Sequence, residues 1–277
     1  MTEIDWREID KQAKQWVKQA GEQIRNSFTD AINVDYKSNP DDLVTDMDKQ
    51  TEQFFIKKIH QKFPDHRILG EEGHGHDIST AEGTVWIIDP IDGTMNFVHQ
   101  QSHFAISIGI YHEGVGQIGL IYDVVGDELF HCIKGEGAYV DNRPLQKRTP
   151  VLLEESIIGL NATWVTKNHR IDPDILAPVV RKARGTRSYG SAAIELAYIA
   201  AGRLDAYLSM RLAPWDFAAG LVLLEEVGAV MTTVDGKPVD LLEQNSIFAG
   251  EPELHRNILD NYIQKGIEKD LYIKLNR

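Results

Sequence analysis

Apolar residues at Ile4, Ile9, Ala13, Trp16, Val17, Ala20 and Ile24 recur at helical spacing and predict a long amphipathic helix from about Glu3 to Phe28. Turn signals follow at Asn33 and Asn39-Pro40, and a second helix is predicted from about Met47 to Phe63, ending before Pro64. From Phe104 to Val140 the pattern shortens to "FAISIGIYH", "VGQIGLIYD", "ELFHCIKG" and "GAYVD", an antiparallel meander punctuated by Gly and Asp. Beyond Pro150 strand and helix alternate. The strands are "SIIGLNA", "GTRSY", "LDAYLSM", "GAVMTTV" and "SIFAG". The helices run over Pro173–Lys182, "SAAIELAYIAAG", "PWDFAAGLVLLEEVG" and Glu251 to about Lys265. Helices framing a meander, followed by this alternation, imply two sheets in a layered α/β arrangement. The boundary falls near Pro150, with an N-terminal half over 1–150 and a C-terminal half over 151–277 that are expected to share a core as one compact unit.

The chain has 277 residues and a formal net charge of −13, so its surface repels phosphodiester backbones and nucleic acid is not an expected partner. Lys265, Lys269, Lys274 and Arg277 alternate with Glu268 and Asp270, as on a solvated helix face. The charged start "MTEIDWREIDKQAKQW" has no apolar leader region and no later stretch has the length of a membrane span, so a cytoplasmic protein with no membrane partner is expected. Cys132 is the one cysteine, which excludes an internal disulfide and a cysteine-rich zinc site; in "ELFHCIKG" it reads as a small strand hydrophobe.

The strand Val85–Ile88 drives into "DPIDGT". Asp89 and Asp92 flank Pro90, which fixes a backbone angle and removes a donor, so a sharp turn at the strand's end is expected to bring both carboxylates and the Ile91 carbonyl together. Carboxylates that close raise each other's pKa unless a cation compensates, and an all-oxygen set suits Mg²⁺, Mn²⁺ or Ca²⁺. The alternative is that these aspartates are turn formers or caps. Two further acidic ends weigh against it: Glu71 and Glu72 after "RIL", and Asp216 at the start of an apolar helix, where a cap role is also open. Gly93-Thr94 adds a glycine that lets a ligand approach the backbone and a following helix start that suits a phosphoryl anion.

"DPIDGTMNF" (Asp89 to Phe97), "GEE" (Gly70 to Glu72), "PWDFAAG" (Pro214 to Gly220), "LVTDMD" (Leu43 to Asp48) and "GSAAIELAYIAAGRLDAY" (Gly190 to Tyr207) occur in this order and resemble the inositol monophosphatase family of Mg²⁺-dependent, lithium-sensitive phosphatases. The resemblance spans nearly the whole chain. It implies an α+β fold, a layered αβαβα sandwich shared with fructose-bisphosphatase-like proteins, assembled as a homodimer and acting on a small phosphorylated substrate. By resemblance, Glu71, Asp89 and the Ile91 carbonyl hold a first metal, and Asp89, Asp92 and Asp216 a second. Glu71 and Asp48 support a third, so two to three Mg²⁺ are expected, with Mn²⁺ an alternative and Ca²⁺ and Li⁺ inhibitory. Thr94, paired with Asp48, orients the attacking water, with Glu71 in the catalytic group and Gly93 and Thr94 at the phosphate. Asp92, Ala192, Ser209, Arg211 and Asp216 fall at substrate-contacting positions, and Lys37 beside a mobile loop near the third metal. The expected reaction is hydrolysis of inositol 1-phosphate to inositol and phosphate, without a phosphoenzyme.

The chain departs from the family where it would grip inositol. Animal members have a glutamate seven residues before the final metal aspartate; here Ser209 stands there, with Arg211 two residues on. Loss of a polar partner weakens hydroxyl discrimination. The fork of Arg211 could meet a second anionic group, which brings in fructose 1,6-bisphosphate or the 2′-phosphate of NADP; a surface arginine is the other reading. An adenosine 3′,5′-bisphosphate nucleotidase fits the motifs less well. A purely regulatory binding protein is disfavoured because Glu71, Asp89, Asp92 and Asp216 are all present. "GHGHD" (Gly73 to Asp77) reads as a mobile, flap-like loop rather than a histidine metal site.

Overall fold

The N-terminal stripe folds as α1 (Trp6–Asn26), which buries Ile9, Ala13, Trp16, Val17, Ala20 and Ile24. It starts later than the periodicity alone suggests because the Asp5 side chain accepts the Glu8 N–H and caps it. The structure is a computed structural model that describes residues 4–29, 34–36, 43–75 and 78–274. A short antiparallel pair that the pattern did not announce, β1 (Val34–Tyr36) and β2 (Leu43–Thr45), leads into α2 (Asp46–Lys62). Lys37, His76 and Asp77 lie outside the described residues.

A seven-stranded sheet follows in chain order: β3 (Arg67–Gly70), β4 (Thr84–Asp92), β5 (Ala105–His112), β6 (Val115–Asp123), β7 (Glu128–Ile133), β8 (Ala138–Val140) and β9 (Arg143–Pro144). A short helix, α3 (Thr94–Gln100), interrupts it after β4. Only β3 and β4 run parallel; the expected meander from β5 onward is antiparallel. The second half supplies β10 (Ile157–Leu160), α4 (Pro173–Lys182), β11 (Gly185–Arg187), α5 (Ala192–Ala200), β12 (Ala206–Leu212), α6 (Pro214–Val227), β13 (Val230–Thr232) and β14 (Asn245–Gly250). The last helix, α7 (Pro252–Ile258), is capped by Glu251 and continues through a π-helical turn, Leu259–Ile263, into Gln264–Ile267. The second sheet has the order β11-β10-β12-β14-β13 and is mixed.

Three apolar clusters define five layers. Residues of α1 and α2 pack with Ile68, Trp86, Ile88 and Ile108 on one face of the large sheet. On its other face Val85, Ile87 and Ile121 meet α5 and α6, which in turn meet Tyr207, Ile247 and Ala249 of the second sheet. The outer face of that sheet, with Leu208 and Phe248, is covered by α4 and α7. The order is therefore helix, sheet, helix, sheet, helix, and the central cluster takes residues from both sides of Pro150.

The helix α6 lies close against the large sheet. A Cβ on Gly119 would stand 2.6 Å from the Ala219 carbonyl oxygen, and one on Gly109 would stand 2.9 Å from the Ala218 Cβ. The "AAG" run thus acts as a small-residue contact, and it brings the N-terminus of α6 to the end of β4. Cys132 is fully buried on β7, where burial pushes its thiol up, consistent with a packing role. Among the described residues no helix is long and apolar enough to cross a membrane.

Candidate active site

The strand that carries Asp89 does not end at Pro90. It runs on to Asp92, and the expectation of a sharp turn at the strand's end is corrected to a β-bulge. Asp89 pairs with Ser107 and Asp92 with Ala105, so three steps along β4 oppose two along β5. In a regular strand residues three apart face opposite sides; the extra residue of the bulge returns Asp92 to the face of Asp89. Proline fits there because a bulge leaves a ladder position unpaired. Accordingly Ile91 packs with the outer cluster, while Asp92 reaches inward to Ser191 and Ala193 at the start of α5.

Asp216 sits in the first turn of α6, where Oδ2 accepts the Ala213 N–H at 2.8 Å. The cap role is therefore present, and it does not keep the carboxylate from the other acids. Asp89, Asp92 and Asp216 each present an oxygen within 4.8 Å of the others. Glu71 follows β3, held by its N–H to the Ile88 carbonyl at 3.3 Å, and its carboxyl hydrogen-bonds that of Asp89. Four acids thus converge between the two sheets.

Their electrostatics show the cost of that convergence. Burial, then the charges of Glu71, Asp92 and Asp216, hold the Asp89 carboxyl well above the usual range. Burial pushes Asp92 up to about 6, opposed by the Ser191 hydroxyl and the Ala193 and Ala192 N–H groups. Buried, crowded oxygens of this kind fit a hard divalent cation, which removes the repulsion.

A second constellation adjoins the first. Thr45 caps α2, and Asp48 Oδ2 in turn accepts the Thr45 N–H at 2.8 Å and the Thr45 hydroxyl at 2.5 Å. Asp48 Oδ1 lies 3.1 Å from Thr94 Oγ1, which is also 3.1 Å from the Ile91 carbonyl oxygen. Burial pushes Asp48 up to about 6 against these hydrogen bonds, with Glu71 adding to the rise. Asp46, the other acid of "LVTDMD", is exposed. Gly93 precedes α3 at φ 96, and a Cβ there would lie 3.2 Å from the Gly190 carbonyl oxygen, so both backbone angle and space call for glycine.

Several supporting residues were not read from the sequence. Ser191 and the Ala193 N–H hold Asp92 Oδ2. The Asn96 amide bridges the His103 and Tyr189 carbonyls at 2.8 and 2.7 Å, fastening α3 to the approach of α5. Glu52, one turn beyond Asp48 on α2 and fully buried, accepts the Glu72 N–H at 2.8 Å and the His74 N–H at 2.9 Å. The His74 ring also lies 3.1 Å from Glu52 Oε1, so the described part of the glycine-rich loop is tethered behind Glu71. A Ser before an apolar helix and a Glu on a helix face are visible in sequence; their partners are not.

Of the positions expected to contact substrate, Ala192 opens α5 and its N–H reaches Asp92. Ser209 is buried on β12. A second bulge, between Ser209 and Leu212, leaves Arg211 exposed, and among the described residues its side chain has no ion-pair partner.

Fold and site together define a five-layered α/β protein with a crowded acidic centre, of a chemistry suited to a divalent cation, where the two sheets meet the middle helices. The sequence pattern of the inositol monophosphatase family matches residues 5–265, and the chain belongs to that family. It is 58% identical over 259 residues to the inositol-1-monophosphatase of Bacillus subtilis (strain 168), covering 94% of this chain and 98% of the relative. The crystal structure of inositol monophosphatase II from Staphylococcus aureus MSSA476 matches at 44% identity and a TM-score of 0.86, covering 94% of this chain and 95% of that one. The crystal structure of inositol monophosphate-bound SaIMPase-II matches at 42% identity and a TM-score of 0.84, with the same coverage.

Proposed function

We propose that the protein is a Mg²⁺-dependent phosphomonoesterase that hydrolyses inositol 1-phosphate. The observation that supports this most is the joining of the acidic cluster Asp89, Asp92 and Asp216 to the Asp48–Thr94 pair. In this reading Asp89, Asp92, Asp216, Glu71 and the Ile91 carbonyl would hold Mg²⁺. When bound, Mg²⁺ supplies positive charge to the phosphoryl oxygens and makes water easier to deprotonate.

The remaining work falls to the chain's own groups. In this reading Gly93, at φ 96, lets the phosphoryl group approach the backbone next to Thr94. Asp48 Oδ1 accepts the Thr94 hydroxyl's hydrogen bond, which leaves a Thr94 oxygen lone pair to accept a hydrogen bond from the attacking water and aim it at phosphorus; the proton that this water gives up balances the one the departing inositol oxygen takes from solvent as its bond to phosphorus breaks. Burial of Asp48 keeps bulk water from competing for that hydrogen bond.

A second reading, in which a second phosphate on NADP or fructose 1,6-bisphosphate is also engaged, is favoured by one feature: the exposed Arg211 two residues beyond Ser209. Phosphate release from inositol 1-phosphate with Mg²⁺, for wild type and Asp89→Asn, tests the main reading. Turnover by the wild type and its loss in a folded Asp89→Asn protein is expected; near-normal kcat in the variant would overturn the assignment.

A further inference from the structure

Glu195 is buried one turn into α5, with 3% of its surface exposed, and plays no part in the reaction described above. Its Oε1 accepts the Tyr189 N–H at 2.8 Å, and the carboxyl also receives the Gly190 N–H. Its Oε2 has no hydrogen-bond partner among the described residues. That oxygen is pressed against β10 so closely that a Cβ on Gly159 would stand 2.3 Å from it. A charged residue held there without a pairing cation is costly. Burial pushes the carboxyl up to about 7, with Asp92 adding to the rise.

The turn that Glu195 grips is the one that serves Asp92. Tyr189 and Gly190 lead directly into Ser191, whose hydroxyl donates to Asp92 Oδ2, and into the Ala193 N–H, which donates to the same oxygen at 2.7 Å. Asn96 holds the Tyr189 carbonyl from the other side at 2.7 Å. The carbonyl of this turn is thus tied to α3 and its N–H groups to α5.

We propose that Glu195 is a positioning residue whose carboxyl holds the Tyr189–Gly190 turn, so that Ser191 and the N-terminus of α5 fix Asp92 in its cation-binding orientation and Ala192 beside the substrate. This rests on the reading of Asp92 as a cation ligand. Removal of the acceptor frees the Tyr189 and Gly190 N–H groups and loosens the turn at its centre. Glutamine keeps an acceptor oxygen in place; alanine does not.

The test compares wild type, Glu195→Ala and Glu195→Gln by titration calorimetry with MgCl₂ and by kcat and KM for inositol 1-phosphate at 25 °C. Glu195→Ala should raise the Mg²⁺ half-saturation about tenfold or more and lower kcat, while Glu195→Gln stays within about threefold of wild type. Unchanged Mg²⁺ affinity and kcat in Glu195→Ala, with only a lower Tm, would overturn the proposal, as would a Glu195→Gln protein as impaired as the alanine variant. If Glu195→Ala does not fold, Glu195→Asp, with its acceptor drawn back by one methylene, must show the weakened Mg²⁺ affinity. A wild type that binds Mg²⁺ but leaves inositol 1-phosphate intact would fail the functional reading alone, since calorimetry still reads the role of Glu195.

Discussion

Thr94 Oγ1 lies 3.1 Å from Asp48 Oδ1, joining the first turn of α3 to the first turn of α2 across 46 positions of sequence. Both residues sit at helix starts, where local hydrogen bonds set their rotamers. Replacing Thr94 by Val removes the hydroxyl and keeps the shape. We expect kcat to fall about 10²–10⁴-fold. Mg²⁺ affinity should remain within a few fold, because Thr94 is not among the clustered acids. A kcat within tenfold of wild type would show that the hydroxyl does not orient the water.

The acidic cluster predicts a pH-dependent response to cation. Asp48 and Asp92 have an ordinary value of 3.8 and are each pushed up to about 6 in the folded chain. As pH rises the unfolded chain releases these protons first, so Asp48 and Asp92 cost the metal-free protein stability between about pH 4 and pH 6, and the raised Asp89 and Glu195 carboxyls act in the same direction. A cation relieves that loss. The rise in Tm produced by saturating Mg²⁺ should therefore be larger at about pH 7.5 than at about pH 5, measured by scanning calorimetry. Equal gains at both would contradict the raised carboxyls.

Arg211 bears on substrate choice. Its exposed side chain predicts that Arg211→Ala lowers kcat/KM for NADP and fructose 1,6-bisphosphate by about tenfold while inositol 1-phosphate changes little, since one charge-assisted pair contributes roughly this much. An equal loss on all three would remove Arg211 from any role in reading a second phosphate.

Away from the site, Arg148 Nη2 meets Asp205 Oδ1 at 2.9 Å, and Asp205 Oδ2 accepts the Ile157 N–H at 2.8 Å. The pair ties the connection before β10 to the start of β12, and both side chains are largely buried. Arg148→Ala leaves Asp205 buried without its cation and should cost about 3 kcal/mol, read from urea midpoints, with kcat unchanged at temperatures where it is folded. A shift under about 0.5 kcal/mol would mean solvent already compensates the pair.

Much of this was legible in the chain. Helical spacing marked α1, turn signals and Pro64 bounded α2, and the strand-rich run to Val140 marked the meander, because burial of one face writes a period into the sequence and proline ends a helix. "DPIDGT", "GEE" and "PWDFAAG" marked the four acids that converge, because carboxylates set at the ends of apolar strands and at an apolar helix start stand out against their surroundings. The hairpin β1–β2 was not marked: its strands are three residues each, too short for a period to show.

What only the tertiary structure decided is how those residues face. The sequence determined that Asp89 and Asp92 stand three apart around a proline; pairing with β5 decided that a bulge, not a turn, sets both on one side. It determined a serine and a glutamate in "GSAAIE"; the approach of α5 to β4 decided that Ser191 serves Asp92 and Glu195 serves the turn before it. It determined Glu52 as one more helix carboxylate, and the return of the chain after β3 made it the anchor behind Glu71. An acid at the end of an apolar run is a matter of residue type and so is visible in one dimension. The hydrogen bonds that aim those carboxylates require only that a donor and an acceptor arrive together, and packing alone determines which do.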